Sequence, residues 1–296
     1  MRAERTPSVE PAIVRAGTLA AELETILRDG GVEHPRREAG DIIAAIVDAP
    51  RFWAAQHRDV LVAPVVIELA RAAAMQRAQG APFAYAVGRA AFRHLTLMVD
   101  ERVLIPRQET ELLVEEVLSR VSGGVVADIG TGSGAIALAL ATEGSFDRVI
   151  ATDVSTAALA VAAENLRRCT GVLRCRVELV AGSLLTPLAG RRVDAVVANP
   201  PYIAHAEARA LPETVRNWEP PTALFSAEDG MRHTAELIRG VPAVLRSGGL
   251  LAVEVDARRA VQAAALARAE PCLRDVLVRP DLTGRDRILL ATRVDE

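Results

Sequence analysis

The chain contains no lysine: all 35 of its basic residues are arginine. Without lysine there is no amine for a Schiff base and no phosphate-gripping lysine for a P-loop, so two large groups of enzymes are excluded. Cysteine is nearly as scarce. Cys169, Cys175 and Cys272 form neither a CxxC pair nor an even disulfide set, which points to a reducing cytoplasm and to thiols serving as small buried hydrophobes. With so few cysteines, and with His34, His57, His94, His205 and His233 dispersed along the chain, no metal site is expected. No apolar run reaches the roughly eighteen residues of a membrane span, and nothing near the N-terminus has signal-peptide form. Positive charge is not in excess either. The 35 basic and 38 acidic residues leave a formal charge of −3, so no global field draws the chain to nucleic acid or to an anionic membrane.

What is present suits a globular protein. With 296 residues, half of them hydrophobic and a quarter charged, one large or two unequal domains are expected. The opening MRAERTPSVE has no periodicity and reads as a loose tail. Leu19, Leu23, Ile26 and Leu27 then follow helical spacing up to Gly30-Gly31; Pro35 opens a second helix with Ile42, Ile43, Ile46 and Val47; a third runs from Pro64 to Gln79. Residues 11–80 are therefore expected to be a helical bundle without strands, serving substrate recognition. Between residues 81 and 105 the β-branched and aromatic residues, including Phe83, Tyr85, Val87, Phe92, Leu95 and Leu97, predict a linking hairpin. From residue 106 to 296, helical stretches alternate with apolar runs at Val125–Ile129, Arg148–Thr152, Val177–Ala181, Ala195–Ala198, Gly249–Val255 and Arg287–Thr292. That alternation predicts a doubly wound α/β domain with a mostly parallel sheet.

Two turns in this region carry chemistry. The first, Asp128-Ile129-Gly130-Thr131-Gly132-Ser133-Gly134, follows a strand and opens a helix. Glycine at alternate positions lets the backbone turn sharply and approach a ligand closely. Asp153 ends the next strand, where a carboxylate can take both hydroxyls of a ribose, so a nucleoside-bearing cofactor is expected. The G-x-G-x-G alternation differs from the usual dinucleotide fingerprint, and Asp128 beside it disfavours a pyrophosphate while suiting a cationic amino acid moiety.

The second turn, Asn199-Pro200-Pro201-Tyr202, ends the fourth strand. Two consecutive prolines supply no N–H groups, so the turn offers acceptors only. The Asn199 side-chain oxygen and the Pro200 carbonyl can grip both hydrogens of an amide or amine, and Tyr202 offers an aromatic face. Open α/β sheets bind ligands at the carboxyl ends of their strands, so both turns are expected on one edge.

Together the two turns resemble those of the class I S-adenosylmethionine-dependent amino-methyltransferases. Gly88 to Phe92, Leu104-Ile105-Pro106-Arg107-Gln108-Glu109-Thr110-Glu111, Glu219-Pro220, Asp229-Gly230 and Gly284-Arg285-Asp286-Arg287 narrow the likeness to the HemK/PrmC family, the N5-glutamine methyltransferases of peptide chain release factors. The resemblance covers about residues 15 to 292. It implies a Rossmann-like fold with S-adenosylmethionine on Gly130, Thr131, Gly132, Ser133 and Gly134, Asp153 on its ribose and Leu184 among its contacts. It further implies that Asn199, Pro200, Pro201 and Tyr202 hold a glutamine amide beside Leu104, with Asn199 also touching the cofactor. The implied partner is a class I release factor, without direct contact to nucleic acid or membrane, and a monomer is expected. Three departures accompany the likeness. Gln108 replaces a usual proline, Ser183 replaces an acid that meets the adenine amine, and Asp256 replaces a glycine. Two other readings of the same residues stay open: a methyltransferase for an exocyclic base amine of DNA or RNA, or another protein glutamine, and a binding protein that has lost its cofactor.

Overall fold

The computed structural model describes residues 13–295, so the decapeptide read as a tail lies outside the described residues. The chain divides into two compact units, the first ending at Gly88 and the second beginning at Arg89.

The first unit runs β1 (Val14–Arg15), α1 (Ala16–Asp29), α2 (Pro35–Ile46), α3 (Trp53–Gln56), β2 (Leu61–Val62), α4 (Pro64–Ala78) and α5 (Phe83–Ala86). Leu19, Leu23 and Leu27 recur every fourth residue on α1 and are completely buried among Ile42, Ile43 and Ala70. Proline stands at the start of both α2 and α4, where its missing N–H has no helical partner to lose. Two expectations fail here. The bundle is not free of strands: β1 and β2 pair antiparallel, Val14 opposite Val62, in two-residue segments too short to show a period of two. Phe83 and Tyr85 lie in a helical turn, not a strand, because the Pro82 carbonyl accepts the amides of Tyr85 and Ala86 and starts the turn.

The second unit opens with the hairpin β3 (Arg89–Phe92) and β4 (Leu95–Met98), then α6 (Gln108–Arg120), β5 (Val125–Ile129), α7 (Ala135–Glu143), β6 (Arg148–Asp153), α8 (Thr156–Cys169), β7 (Arg176–Ala181) and β8 (Val193–Ala198). An insertion follows, with β9 (Ile203–Ala204), α9 (Glu213–Trp218), α10 (Pro221–Leu224) and β10 (Phe225–Ser226); the chain then forms α11 (Arg232–Gly240), β11 (Leu245–Glu254), α12 (Ala260–Ala269), β12 (Leu273–Pro280) and β13 (Asp286–Arg293).

Seven strands form one sheet in the order β12-β13-β11-β8-β5-β6-β7. The five from β11 to β7 are parallel, and β13 and β12 add antiparallel at one side. Strands covered on both faces must be apolar almost throughout, as in β8, where Val193, Ala195, Val196, Val197 and Ala198 are all fully buried. On one face Val126, Ala151 and Val197 pack with Leu113 and Val117 of α6 and Leu138 and Leu140 of α7. On the other, Ile129, Val196 and Val253 pack with Leu237 and Ile238 of α11 and Ala263 of α12. Strand β12 was not foreseen: Arg274, Asp275 and Arg279 interrupt its apolar residues, and its Leu277 is half exposed, as befits a sheet edge. No helix among the described residues is long and apolar enough to cross a membrane.

Candidate active site

The strand register fixes the layout of the site. Ile129 of β5 pairs with Thr152 of β6 and with Ala198 of β8, while Ala198 pairs with Val253 of β11. Gly130, Asp153, Asn199 and Glu254, each one step beyond such a pair, therefore emerge side by side on the carboxyl edge, with neighbouring strands about 4.8 Å apart. A cavity of about 140 Å³ opens there, and its wall includes Leu104, Gly130, Gly132, Asp153, Leu184, Asn199, Pro200 and Pro201. The two turns singled out in the sequence meet across one space.

Four of the expected site residues stand behind that wall. Thr131 is buried and donates its hydroxyl to Asp128 at 2.6 Å, and its amide bonds the Thr152 carbonyl. The Ser133 carbonyl accepts the amide of Asn165. Gly130, Gly132 and Gly134 all have positive φ, 75°, 55° and 86°, the left-handed backbone that favours residues without a Cβ. Tyr202 is not in the wall either; its hydroxyl donates to Glu254 at 3.3 Å.

Asp128 also departs from expectation. The carboxylate read as an anchor for a cationic ligand lies wholly buried under the turn, accepting the Thr131 hydroxyl and the Ala137 amide. Its other oxygen has no hydrogen-bond partner. Burial pushes the carboxyl up to about 7 against the pull of its hydrogen bonds, and the charge of Asp153 adds to the rise. Asp153 itself points its carboxylate into the turn, accepting from the amides of Gly132 at 2.9 Å and Ser155 at 2.8 Å.

Several participants left little trace in the sequence. Asn165, fully buried on α8, bonds the backbone of Met98 through both ends of its amide and also reaches Ser133, stapling β4 to the glycine turn. The nearly inaccessible Glu219 carboxylate holds the Arg107 guanidinium at 2.5 Å and the Ile105 amide at 3.3 Å, joining the Ile-Pro-Arg and Glu-Pro segments by a charged hydrogen bond. His233, named in the sequence only as one of five dispersed histidines, lies in the cavity wall, with Nδ1 2.8 Å from the Ser226 hydroxyl and its pKa lowered by burial. Asp256, which stands where the family likeness has a glycine, is not in the wall and is tied up by Arg258 and Arg259. Gly230 is there for space as well as φ. A Cβ would stand 2.3 Å from the Tyr202 carbonyl, so this residue lets the insertion pack onto the Asn-Pro-Pro-Tyr turn.

Beneath that turn runs a short relay. The Asn199 amide donates to Thr110 Oγ1 at 3.0 Å, and Thr110 donates to Glu254 Oε2 at 2.6 Å. Glu254 is 1 % exposed. Burial raises its pKa, opposed by the Thr110 hydrogen bond and the Arg287 charge; burial and then the Glu254 charge raise that of Tyr202. Chemically, the edge offers a carboxylate and apolar walls on one side and bare acceptors on the other.

Residues 107–216 match the family model described as methyltransferase small domain. The chain is 44 % identical over 275 residues to the release factor glutamine methyltransferase of Moorella thermoacetica, covering 91 % of this chain and 95 % of that one. It is 43 % identical over 222 residues to the protein of the same name from Xylella fastidiosa, covering 74 % and 79 %. Among solved structures, the hMettl16 catalytic domain in complex with the MAT2A 3′UTR hairpin 6 aligns with a TM-score of 0.52 at 17 % identity, over 75 % of this chain and 81 % of that one, a likeness of fold. Identity of this degree across nearly the full length of both chains makes this protein a member of the release factor glutamine methyltransferase family.

Proposed function

We propose that the protein transfers a methyl group from S-adenosylmethionine to the side-chain amide nitrogen of a glutamine in a class I peptide chain release factor. The observation that carries this reading is the single cavity shared by Gly130, Asp153 and Asn199 to Pro201. The residues present suit the cofactor: Asp153 is a carboxylate at the height of a ribose, and Leu184 and the 69 % exposed Val154 give apolar faces for a planar base. When bound, S-adenosylmethionine supplies an electrophilic methyl on a sulfonium.

The work of the chain is placement. A carboxamide nitrogen is a poor nucleophile because its lone pair is delocalised into the carbonyl. The Asn199 side-chain oxygen and the Pro200 carbonyl accept its two N–H groups, which fixes the nitrogen and favours rehybridisation as charge develops. Alignment of reacting atoms at about 3 Å contributes several kcal/mol. The nitrogen sheds a proton after the new N–C bond forms, so no strong base is needed. Pro200 and Pro201 leave the slot without backbone donors, a poor receptor for a carboxylate and a good one for an amide. Leu104 lines the same slot, and the helical unit recognises the protein substrate.

Incubation with isotopically labelled S-adenosylmethionine and purified release factor, followed by peptide mass spectrometry, tests the reading. The expected product is one methyl on a single glutamine. Label found only in added nucleic acid, or in no macromolecule, overturns it.

A further inference from the structure

An asparagine side chain fits its site in two orientations that exchange the oxygen with the nitrogen, and only one presents an acceptor to the cavity. We propose that Thr110 and Glu254 are positioning residues that hold the Asn199 amide with its oxygen toward the substrate. The inference rests on the functional reading above and adds to it the means by which the clamp is oriented.

The argument is one of proton accounting. The Thr110 hydroxyl lies 2.6 Å from Glu254 Oε2 and 3.0 Å from Asn199 Nδ2. A hydroxyl has one proton to give, and an ionised Glu254, its two oxygens taking the hydroxyls of Thr110 and Tyr202, can only accept. Thr110 therefore spends its proton on Glu254, and its oxygen is left needing a donor. Only the nitrogen end of Asn199 satisfies that need, which turns the oxygen the other way, to the cavity that Asn199 lines. Tyr202 secures the far end by donating to Glu254 Oε1 at 3.3 Å, so each carboxylate oxygen carries a hydrogen bond.

The fold makes the relay rigid. Glu254 ends β11, one step beyond the Val253–Ala198 pair, and Asn199 follows β8 at the same step. Thr110 is in the first turn of α6 and 4 % exposed. Glu254 pairs in register with Ile288 of β13, and the neighbouring Arg287, whose guanidinium is held by Asp281 at 3.3 Å, acts on the carboxylate through its charge. Because β11 and β8 are both interior strands of the sheet, the backbone that carries Glu254 cannot shift without breaking strand pairs, and hydrogen bonds from Thr110 and Tyr202 hold its carboxylate.

Thr110→Val keeps the shape and removes the hydroxyl; Thr110→Ser keeps the hydroxyl. With release factor as substrate, Thr110→Val is expected to lower kcat about a hundredfold, the cost of a misplaced reacting group, while calorimetry shows unchanged affinity for S-adenosylmethionine. Thr110→Ser should restore kcat. In wild type, the Asn199 side-chain amide resonance, assigned through Asn199→Ala, should be protected from solvent exchange, and Thr110→Val should lose that protection. Wild-type kcat in Thr110→Val, an equal loss in Thr110→Ser, or retained amide protection in Thr110→Val overturns the proposal. A wild-type protein that methylates no release factor overturns the functional reading instead, and the amide exchange then decides the orientation alone.

Discussion

The two units of the chain spend their cores differently. Among the described residues the helical unit buries no polar or charged residue, whereas the α/β unit buries eleven, from Thr110 and Asp128 to Glu254 and Asp281. In the helical unit charges stay paired nearer the surface, as in Arg77 with Glu38 at 2.7 Å and Arg71 with Glu22 at 2.6 Å. Burying a polar group is costly unless every hydrogen bond is made. The concentration of such groups on one sheet edge therefore marks where the fold gives up stability for geometry.

The contrast can be broken or sharpened by experiment. The largest effect is expected at the clamp: Asn199→Ala should lower methyl transfer by about a thousandfold, the scale for removing one preorganised polar contact, with the fold intact by circular dichroism. Activity near wild type would detach the turn from the chemistry. Next is the buried carboxyl of Asp128. Its folded pKa lies above the unfolded value, so its contribution is fullest below about pH 4 and is lost as pH rises through about 7. Without methyl donor, denaturant titrations should therefore show wild type losing up to roughly 4 kcal/mol relative to Asp128→Asn between pH 4 and 8. A difference that does not change with pH would mean that no charge is being buried there. Smallest, and opposite in character, is Leu23→Ala in the fully buried stripe of α1. It should cost about 3 kcal/mol of stability in the helical unit and leave S-adenosylmethionine affinity untouched in calorimetry. A lost affinity would show that the helical unit contributes to cofactor binding.

How far the sequence could be read follows the range of the interactions. Apolar runs bounded by turn residues announced β5, β6, β8, β11 and β13, since a strand covered on both faces has little choice of composition, and Val177, Leu179 and Val180 announced β7 although it is an edge. The edge strand β12 escaped because solvent on its outer side admits Arg274, Asp275 and Arg279. The glycine turn and the Asn-Pro-Pro-Tyr turn were legible for a similar reason: each needs special backbone at consecutive positions. The relay was not. Thr110 and Glu254 stand 144 residues apart, Thr110 and Asn199 89 apart, and no local pattern distinguishes a helix-opening threonine from one that sets an amide. Asp128 was noticed but misplaced, because a sequence gives the order of residues along a strand and not the depth at which a carboxylate comes to rest. The buried link from Glu219 to Arg107 spans 112 residues, and only the folded chain explains why those two short segments occur together.

The position of β13 also governs how the molecule comes into being. This strand, the last of those described, is threaded between β11 and β12, so β11 has an open flank until residues 286–293 arrive. Contacts within the helical unit are local by comparison and can form early, while the sheet waits for its latest segment. A ribosome making this protein thus delivers the helical unit before the sheet, and the carboxylate that ends β11 comes under the charge of Arg287 only when almost all of the described chain has been synthesised.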